Sequence, residues 1–286
     1  MAPSQSDAFD DRPVCQSQWV TIWPAMAFST PSDNAYRRLY YWLHKLVDAA
    51  IGAVLDALDA SGLADNTIVV FTSDHGDLLG AHGGMQQKWY NAYDEAIRVP
   101  LIVLGPGISP DPVGVHVPTS HVDLVPTLLG LAGVDPGERQ DAVVVRDPAA
   151  RADTDTPIYF MTEDQISVGP HMTNPITRAP FTQVSGPANI ESVIATLPTG
   201  SGGARELWKF NRYEAGPDDA DPEATFTEVH NLSTDPEERH NLAQDPTAPI
   251  GQLQALLDVE RATKRLTPRW ANPPAPTVAA LRAARP

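Results

Sequence analysis

Cysteine is almost missing from this chain: Cys15 is the only one in 286 residues. A single thiol excludes an internal disulfide and suits a reducing compartment. Long apolar runs are missing too, and no stretch is long enough to span a bilayer. Basic residues are scarce, with 20 Lys and Arg against 36 Asp and Glu and a net charge of −16. Binding a phosphate backbone needs clustered Lys and Arg, so nucleic acid is excluded as a partner. The opening residues, Met1 to Asp11, are polar and acidic and lack the basic start and apolar stretch of a secretory leader. A cytoplasmic protein with no membrane association is expected. The hydrophobic content of 42% is ordinary, and the length allows a good core in one or two domains.

What is there begins with Asn66 to Asp77. Ile68 to Phe71 is all β-branched or aromatic, which reads as a buried strand. Runs without polar alternation are typical of parallel sheets covered on both faces. Ligands of such sheets lie beyond the carboxyl ends of the strands. Asp74 and His75 fall at that place. An oxygen ligand beside an imidazole suits a divalent cation, and Gly76 lets the backbone turn sharply beneath it. A glycine-punctuated loop follows, Leu78 to Gly84, carrying His82. Lys88 comes next, then Tyr93 to Arg98, then a second apolar strand, Leu101 to Leu104. A cation, a lysine and imidazoles on one loop make an anion site. Asp94 and Glu95 lie beside Arg98 and are read as structural pairs.

Elsewhere the pattern gives scaffold. Asn34 to Ala60 places Leu39, Leu43, Leu46, Val47, Ile51, Val54 and Leu55 at three- and four-residue steps, an amphipathic helix with a packing face. Ser32 or Asp33 suits its start and Gly62 its stop. Arg37, Arg38, His44 and Lys45 read as surface charges. A shorter helix ends near Ala132, capped by Ser120 or Asp123 and stopped by Gly133. His121 precedes this helix, which lies next to the core, and reads as a capping-region histidine with no ligand, approach to a substrate mouth being the alternative. From about residue 135 to 205, Pro, Gly, Asp and Thr dominate, giving loops with isolated strands such as Ile158 to Met161. Leu207 to Tyr213 alternates apolar and polar, a half-buried strand. It pairs with Phe226 to Leu232, and a last helix starts at Ile250. Trp270 to Pro286 reads as a tail.

These motifs together resemble the sulfatase family of the alkaline-phosphatase superfamily, in its arylsulfatase-like form. The resemblance rests on four stretches in order. They are Thr72-Ser73-Asp74-His75-Gly76-Asp77, Gly80-Ala81-His82-Gly83 with Lys88, Tyr93 to Leu101, and His121 to Gly133. Leu232 to Ala243 is similar to the family's closing segment. The resemblance implies that Asp74 and His75 are metal ligands and that Lys88 binds the sulfate oxygens. For His82 it leaves two readings: a catalytic or supporting group beside the site, or a residue that orders the loop. The implied cofactor is a divalent metal, Ca2+ first, with Mn2+ or Mg2+ as substitutes. The implied partner is a small-molecule or glycan sulfate ester. At long range a net charge of −16 repels such a substrate, although salt screens this beyond about 8 Å. The cation and Lys88 must therefore supply the local attraction.

The family's Cys-x-Pro-Ser-Arg motif, whose cysteine becomes formylglycine, is absent. Cys15 has neither the proline nor the arginine, and the Ser29-Thr30-Pro31-Ser32-Asp33 stretch ends in Asp. The family's Asp-Asp metal pair is matched in composition by Asp10-Asp11, but no apolar strand precedes it. The expected fold is α/β: a partial alkaline-phosphatase-like core sheet flanked by helices, with a small C-terminal antiparallel sheet and helix. The expected organisation is a loosely ordered segment at 1–33 and a core at 34–205. A small subdomain at 206–268 and a tail at 269–286 complete it. The expected activity is sulfuric ester hydrolysis in a truncated form with little turnover alone. The alternatives are a phosphonate or phosphate monoester hydrolase relative and a noncatalytic remnant that binds a sulfated ligand.

Overall fold

The computed structural model describes residues 2–26, 33–108, 114, 118–134, 156–163, 184–199, 204–216, 221 and 224–264. Ser29, Ser32, the 135–155 stretch and the 269–286 tail lie outside the described residues. None of the described helices is long and apolar enough to cross a membrane.

The N-terminal segment expected to be loosely ordered contains helix α1, Val14–Met26. Cys15 and Trp19 on α1 are fully buried. They pack with Leu78, Met85, Tyr90 and Tyr93 into one core cluster. Polar flanking residues hid this helix from the periodicity test; its burial is decided by neighbours distant in sequence. Helix α2, Asp33–Ser61, appears where the three- and four-residue spacing placed it, and Gly62 ends it at φ 71°. Among the described residues, however, the expected packing stripe stays open. Leu46, Val47 and Val54 are 49%, 55% and 69% exposed.

Strand β1, Val69–Thr72, pairs with β2, Leu101–Leu104. The pairing is antiparallel, with Thr72 opposite Leu101 and Val69 opposite Leu104. The expectation of a buried parallel strand is thereby corrected: among the described residues the two strands form a sheet of two. Phe71, Ile102 and Leu104 stay 40%, 49% and 55% exposed. An apolar run fixes a strand's character, whereas its neighbours are chosen by chain segments far away. The antiparallel return brings both ends of the 73–100 connection to one place, the carboxyl end of β1. Within it lie α3, Ala81–Gly84, a single distorted turn, and α4, Asp94–Ile97. Helix α5, Leu124–Leu131, starts from Asp123 without a side-chain capping bond, contrary to the sequence reading.

The second sheet has four antiparallel strands in the order β3–β4–β5–β6. They are Ile158–Glu163, Asn189–Thr199, Ala204–Glu214 and Thr225–Asn231. The β5–β6 hairpin matches the sequence reading, with Tyr213 opposite Phe226. The sheet begins well before residue 206, because β4 was hidden in the stretch read as loops. β4 lacks clean alternation because both of its faces are covered. Val193 and Leu197 join the cluster under α6, Ile250–Lys264, with Leu253 and Leu257. Ile190 joins the cluster around α1 on the opposite face.

That second covering changes the reading of β5. Its alternation suggested a wet polar face. Lys209, Asn211 and Tyr213 instead all have 0% exposure. Their face of the sheet is pressed against α1 and the 73–100 connection. Glu228 on β6 accepts hydrogen bonds there from Tyr213 Oη at 2.7 Å, Tyr93 Oη at 2.9 Å and Asn211 Nδ2 at 3.2 Å. A buried carboxylate is tolerated when donors surround it in this way.

Candidate active site

β1 delivers Asp74 and His75 to the open end of the small sheet. The His75 backbone N–H donates to Asp74 Oδ1 at 2.9 Å, and Ser73 Oγ donates to the His75 carbonyl at 2.9 Å. Asp74 has a side chain 84% exposed. The backbone N–H of His75 holds its carboxyl below the usual range, with further help from the charges of His75 and Lys88. The Lys88 ammonium sits 5.6 Å from the Trp89 ring centroid.

The imidazole is oriented by its own neighbour. His75 Nδ1 lies 2.8 Å from the Gly76 carbonyl, which only accepts, so Nδ1 carries the proton. Nε2 lies 3.4 Å from Asp74 Oδ2, so the two face a position that a cation or a proton would share. Fixing the tautomer through the other ring nitrogen is how metal-binding histidines are commonly held. The pair therefore fits a divalent cation, as two ligands of a larger set. Among the described residues no three His, Cys, Asp or Glu side chains gather into a metal cluster. Asp10 and Asp11 sit in an exposed turn before α1.

Gly76 has a different role from the one its sequence suggested. Its N–H donates to the Ala96 carbonyl at 2.8 Å, and a Cβ there would lie 1.9 Å from the Glu95 carbonyl oxygen. Clearance, not left-handed φ, demands glycine. The turn after Asp74-His75 is thereby strapped to α4.

Asp77, left without a role by sequence reading, organises the loop before Lys88. It accepts from the N–H of Leu79 at 2.9 Å and of Gln87 at 3.2 Å. Its other oxygen accepts from Tyr36 Oη on α2 at 2.7 Å. Burial and Asp77 push the Tyr36 hydroxyl well above its ordinary value. Leu79, His82, Gln87 and Tyr90 adopt positive φ along this loop. Such conformations cost about 1–3 kcal/mol each and persist only where the surroundings enforce them. No sequence signal marks non-glycine residues for such angles.

His82 is fully buried. Its ring stacks on Tyr93 at 3.7 Å between centroids, with planes 6° apart, and Nε2 lies 3.1 Å from Glu95 Oε2. Burial pushes the Glu95 carboxyl up, but the His82 bond and charge outweigh this and leave it lowered. The pairing of Asp94 with Arg98, expected from their neighbourhood, is present at 3.5 Å. His121 Nε2 lies 3.3 Å from Thr72 Oγ1, so it too stands at the β1 end.

The end of β1 thus presents an acid and an imidazole side by side. The family model called Sulfatase matches residues 6–134. A choline-sulfatase of Rhizobium meliloti is 33% identical over 245 residues, covering 82% of this chain and 39% of that protein. A Delta 4,5-hexuronate-2-O-sulfatase of Bacteroides thetaiotaomicron is 31% identical over 218 residues, covering 75% and 38%. In solved structures, a 2-O GAG sulfatase superposes with TM-score 0.63 at 22% identity, covering 92% of this chain and 51% of that one. A phosphonate monoester hydrolase of Agrobacterium radiobacter gives TM-score 0.53 at 22% identity, covering 80% and 42%. The chain belongs to the sulfatase family and has its alkaline-phosphatase-like α/β fold. It spans about two fifths of the length of these curated relatives.

Proposed function

We propose that this chain carries the cation-and-lysine half of a sulfuric ester hydrolase site. The observation that carries the reading is the convergence of His75 Nε2 and Asp74 Oδ2 at 3.4 Å beyond the end of β1. Asp74 and His75 would hold Ca2+, with Mn2+ or Mg2+ as substitutes, and the bound ion would neutralise charge on the substrate's nonbridging oxygens. Lys88 binds the same oxygens and stabilises them as charge grows in the transition state. Asp77 holds the loop that presents Lys88. His82 orders that loop through Tyr93 and Glu95, since a fully buried ring has no surface to offer a substrate. The substrate class is a small-molecule or glycan sulfate ester.

The 286 residues contain no Cys-x-Pro-Ser-Arg nucleophile motif, so a polypeptide of this sequence alone turns over little substrate. Hydrolysis of an aryl sulfate with added Ca2+ or Mn2+ tests this. Rates equal to those of Lys88→Ala are expected; turnover well above that variant overturns the incomplete-site reading. Calorimetry with Ca2+ and a sulfate ester tests binding separately. Heat lost in Asp74→Asn supports the half-site, and no heat in the wild type refutes it. The Asp74-His75 pair also suits a phosphonate monoester, a second reading. Faster hydrolysis of an aryl phosphonate than of an aryl sulfate, once a nucleophile is supplied, would favour it.

A further inference from the structure

Lys209 is the least expected residue of the fold. A lysine with no exposed side-chain surface sits mid-strand in β5. Burying an ammonium costs several kcal/mol unless it is paired and hydrogen-bonded. Here Nζ donates to Asp94 Oδ1 at 2.6 Å and to the Ala92 carbonyl at 2.9 Å, and lies 2.8 Å from Glu238 Oε1. The other Glu238 oxygen accepts the backbone N–H of Asp94 at 2.6 Å. Glu238, just beyond β6, holds its place at φ 51°, a strained angle for a non-glycine residue. Lys209 and Glu238 thus meet each other and both bond Asp94, the first residue of α4. From α4 the Ala96 carbonyl takes the Gly76 N–H at 2.8 Å, and the Glu95 carbonyl leaves no room for a larger residue at 76. The chain of contacts runs without a gap from the C-terminal sheet to the turn behind Asp74 and His75.

We propose that Lys209 and Glu238 are positioning residues: they anchor α4, and α4 fixes the turn that aims Asp74 and His75 at one cation. This rests on the half-site reading above, but the anchoring itself is testable without it. A surface pair of this kind would add little, whereas removing one partner of a buried, hydrogen-bonded trio leaves the others stranded. The effect should be local, because the apolar cluster under α6 lies on the opposite face of the sheet.

The test compares three variants of the full chain at pH 8.5, where the Glu238 carboxyl is ionised: Lys209→Met, Glu238→Gln and Leu257→Ala. Leu257→Ala weakens the same sheet from its other face without touching the trio. Two readouts are used, amide hydrogen exchange at Gly76 and binding of Mn2+ alone, followed by its electron paramagnetic resonance. In Lys209→Met and Glu238→Gln, Gly76 exchange should rise about tenfold and Mn2+ affinity fall about tenfold, the range seen when outer residues of a metal site are lost. Amides of the β4–β5 ladder should stay protected, and Leu257→Ala should change neither site readout. Wild-type exchange at Gly76 in folded Lys209→Met, or an equal change in Leu257→Ala, overturns the proposal. Should Lys209→Met fail to fold, Glu238→Gln, which keeps the side chain's shape, decides by the same criteria. Should the wild type bind no Mn2+, the half-site reading falls, while exchange at Gly76 still decides the anchoring.

Discussion

Leu253 and Leu257 on α6 are sealed completely against the β4–β6 face, while Leu46 and Val47 on α2 stand 49% and 55% open. Both helices were expected from the sequence, α2 from its apolar period, and both form. One stripe found a partner among the described residues and the other did not. The β1–β2 strands share the fate of α2, with Phe71, Ile102 and Leu104 partly open. Periodicity therefore states which face of a helix is apolar and leaves open what covers it. The open region is the one that carries Asp74, His75 and Lys88. Polar ties add to the buried Leu78, Met85, Tyr90 and Tyr93 in holding it: Tyr36 to Asp77, Gly76 to Ala96, and Lys209 to Asp94.

The contrast can be broken or sharpened by experiment. Gly76→Ala should have the largest effect, because the added carbon meets a backbone carbonyl at 1.9 Å. A loss of about 3–5 kcal/mol is expected, read by urea unfolding. A loss under about 1 kcal/mol would show that the α4 strap is loose. Leu253→Ala in the sealed region should cost about 2–5 kcal/mol by the same measurement.

His230 gives a pH handle. Burial holds its imidazole down at about 4, below the ordinary 6.5. The unfolded chain binds the proton more readily, so this stability is present above pH 6.5 and is lost as pH falls toward 4. Glu238, pushed up by burial to about 7, acts in the opposite sense: the folded state keeps its proton as pH rises from 4.5 to 7. The difference between wild type and His230→Gln isolates the histidine. Thermal melts at pH 7 and pH 4.5 should show the wild type losing about 2 kcal/mol more than the variant. Equal losses would mean that His230 ionises freely in the fold.

Leu46→Lys on the open stripe of α2 should change unfolding free energy by less than about 0.5 kcal/mol. A loss like that of Leu253→Ala would show that the stripe is covered in solution.

Much of the scaffold was legible. The α2 boundaries and the β5–β6 hairpin followed from period and turn chemistry, which act over a few residues, and the last helix starts at Ile250 as expected. The ends of β1 and β2 followed likewise, and so did the placing of Asp74 and His75 at a strand end. β4 was not legible, because a strand covered on both faces loses its alternation. Nor was α1, whose apolar residues are plentiful but follow no three- and four-residue stripe, and include the fully buried Trp19. The roles of Asp77 and Lys209 were hidden for a related reason. A polar residue in a periodic pattern reads as solvent-facing unless its partner is known, and theirs lie far along the chain.

The amino-acid order by itself determined local matters: where helices run, where β1 stops, and which donors stand at its tip. Those depend on steric and hydrogen-bonding preferences between near neighbours. Tertiary structure alone decided that the polar side of β5 is buried, that Gly76 must be small, and that His82 is enclosed. Each of those outcomes depends on what a distant segment brings into contact, a quantity no local pattern contains.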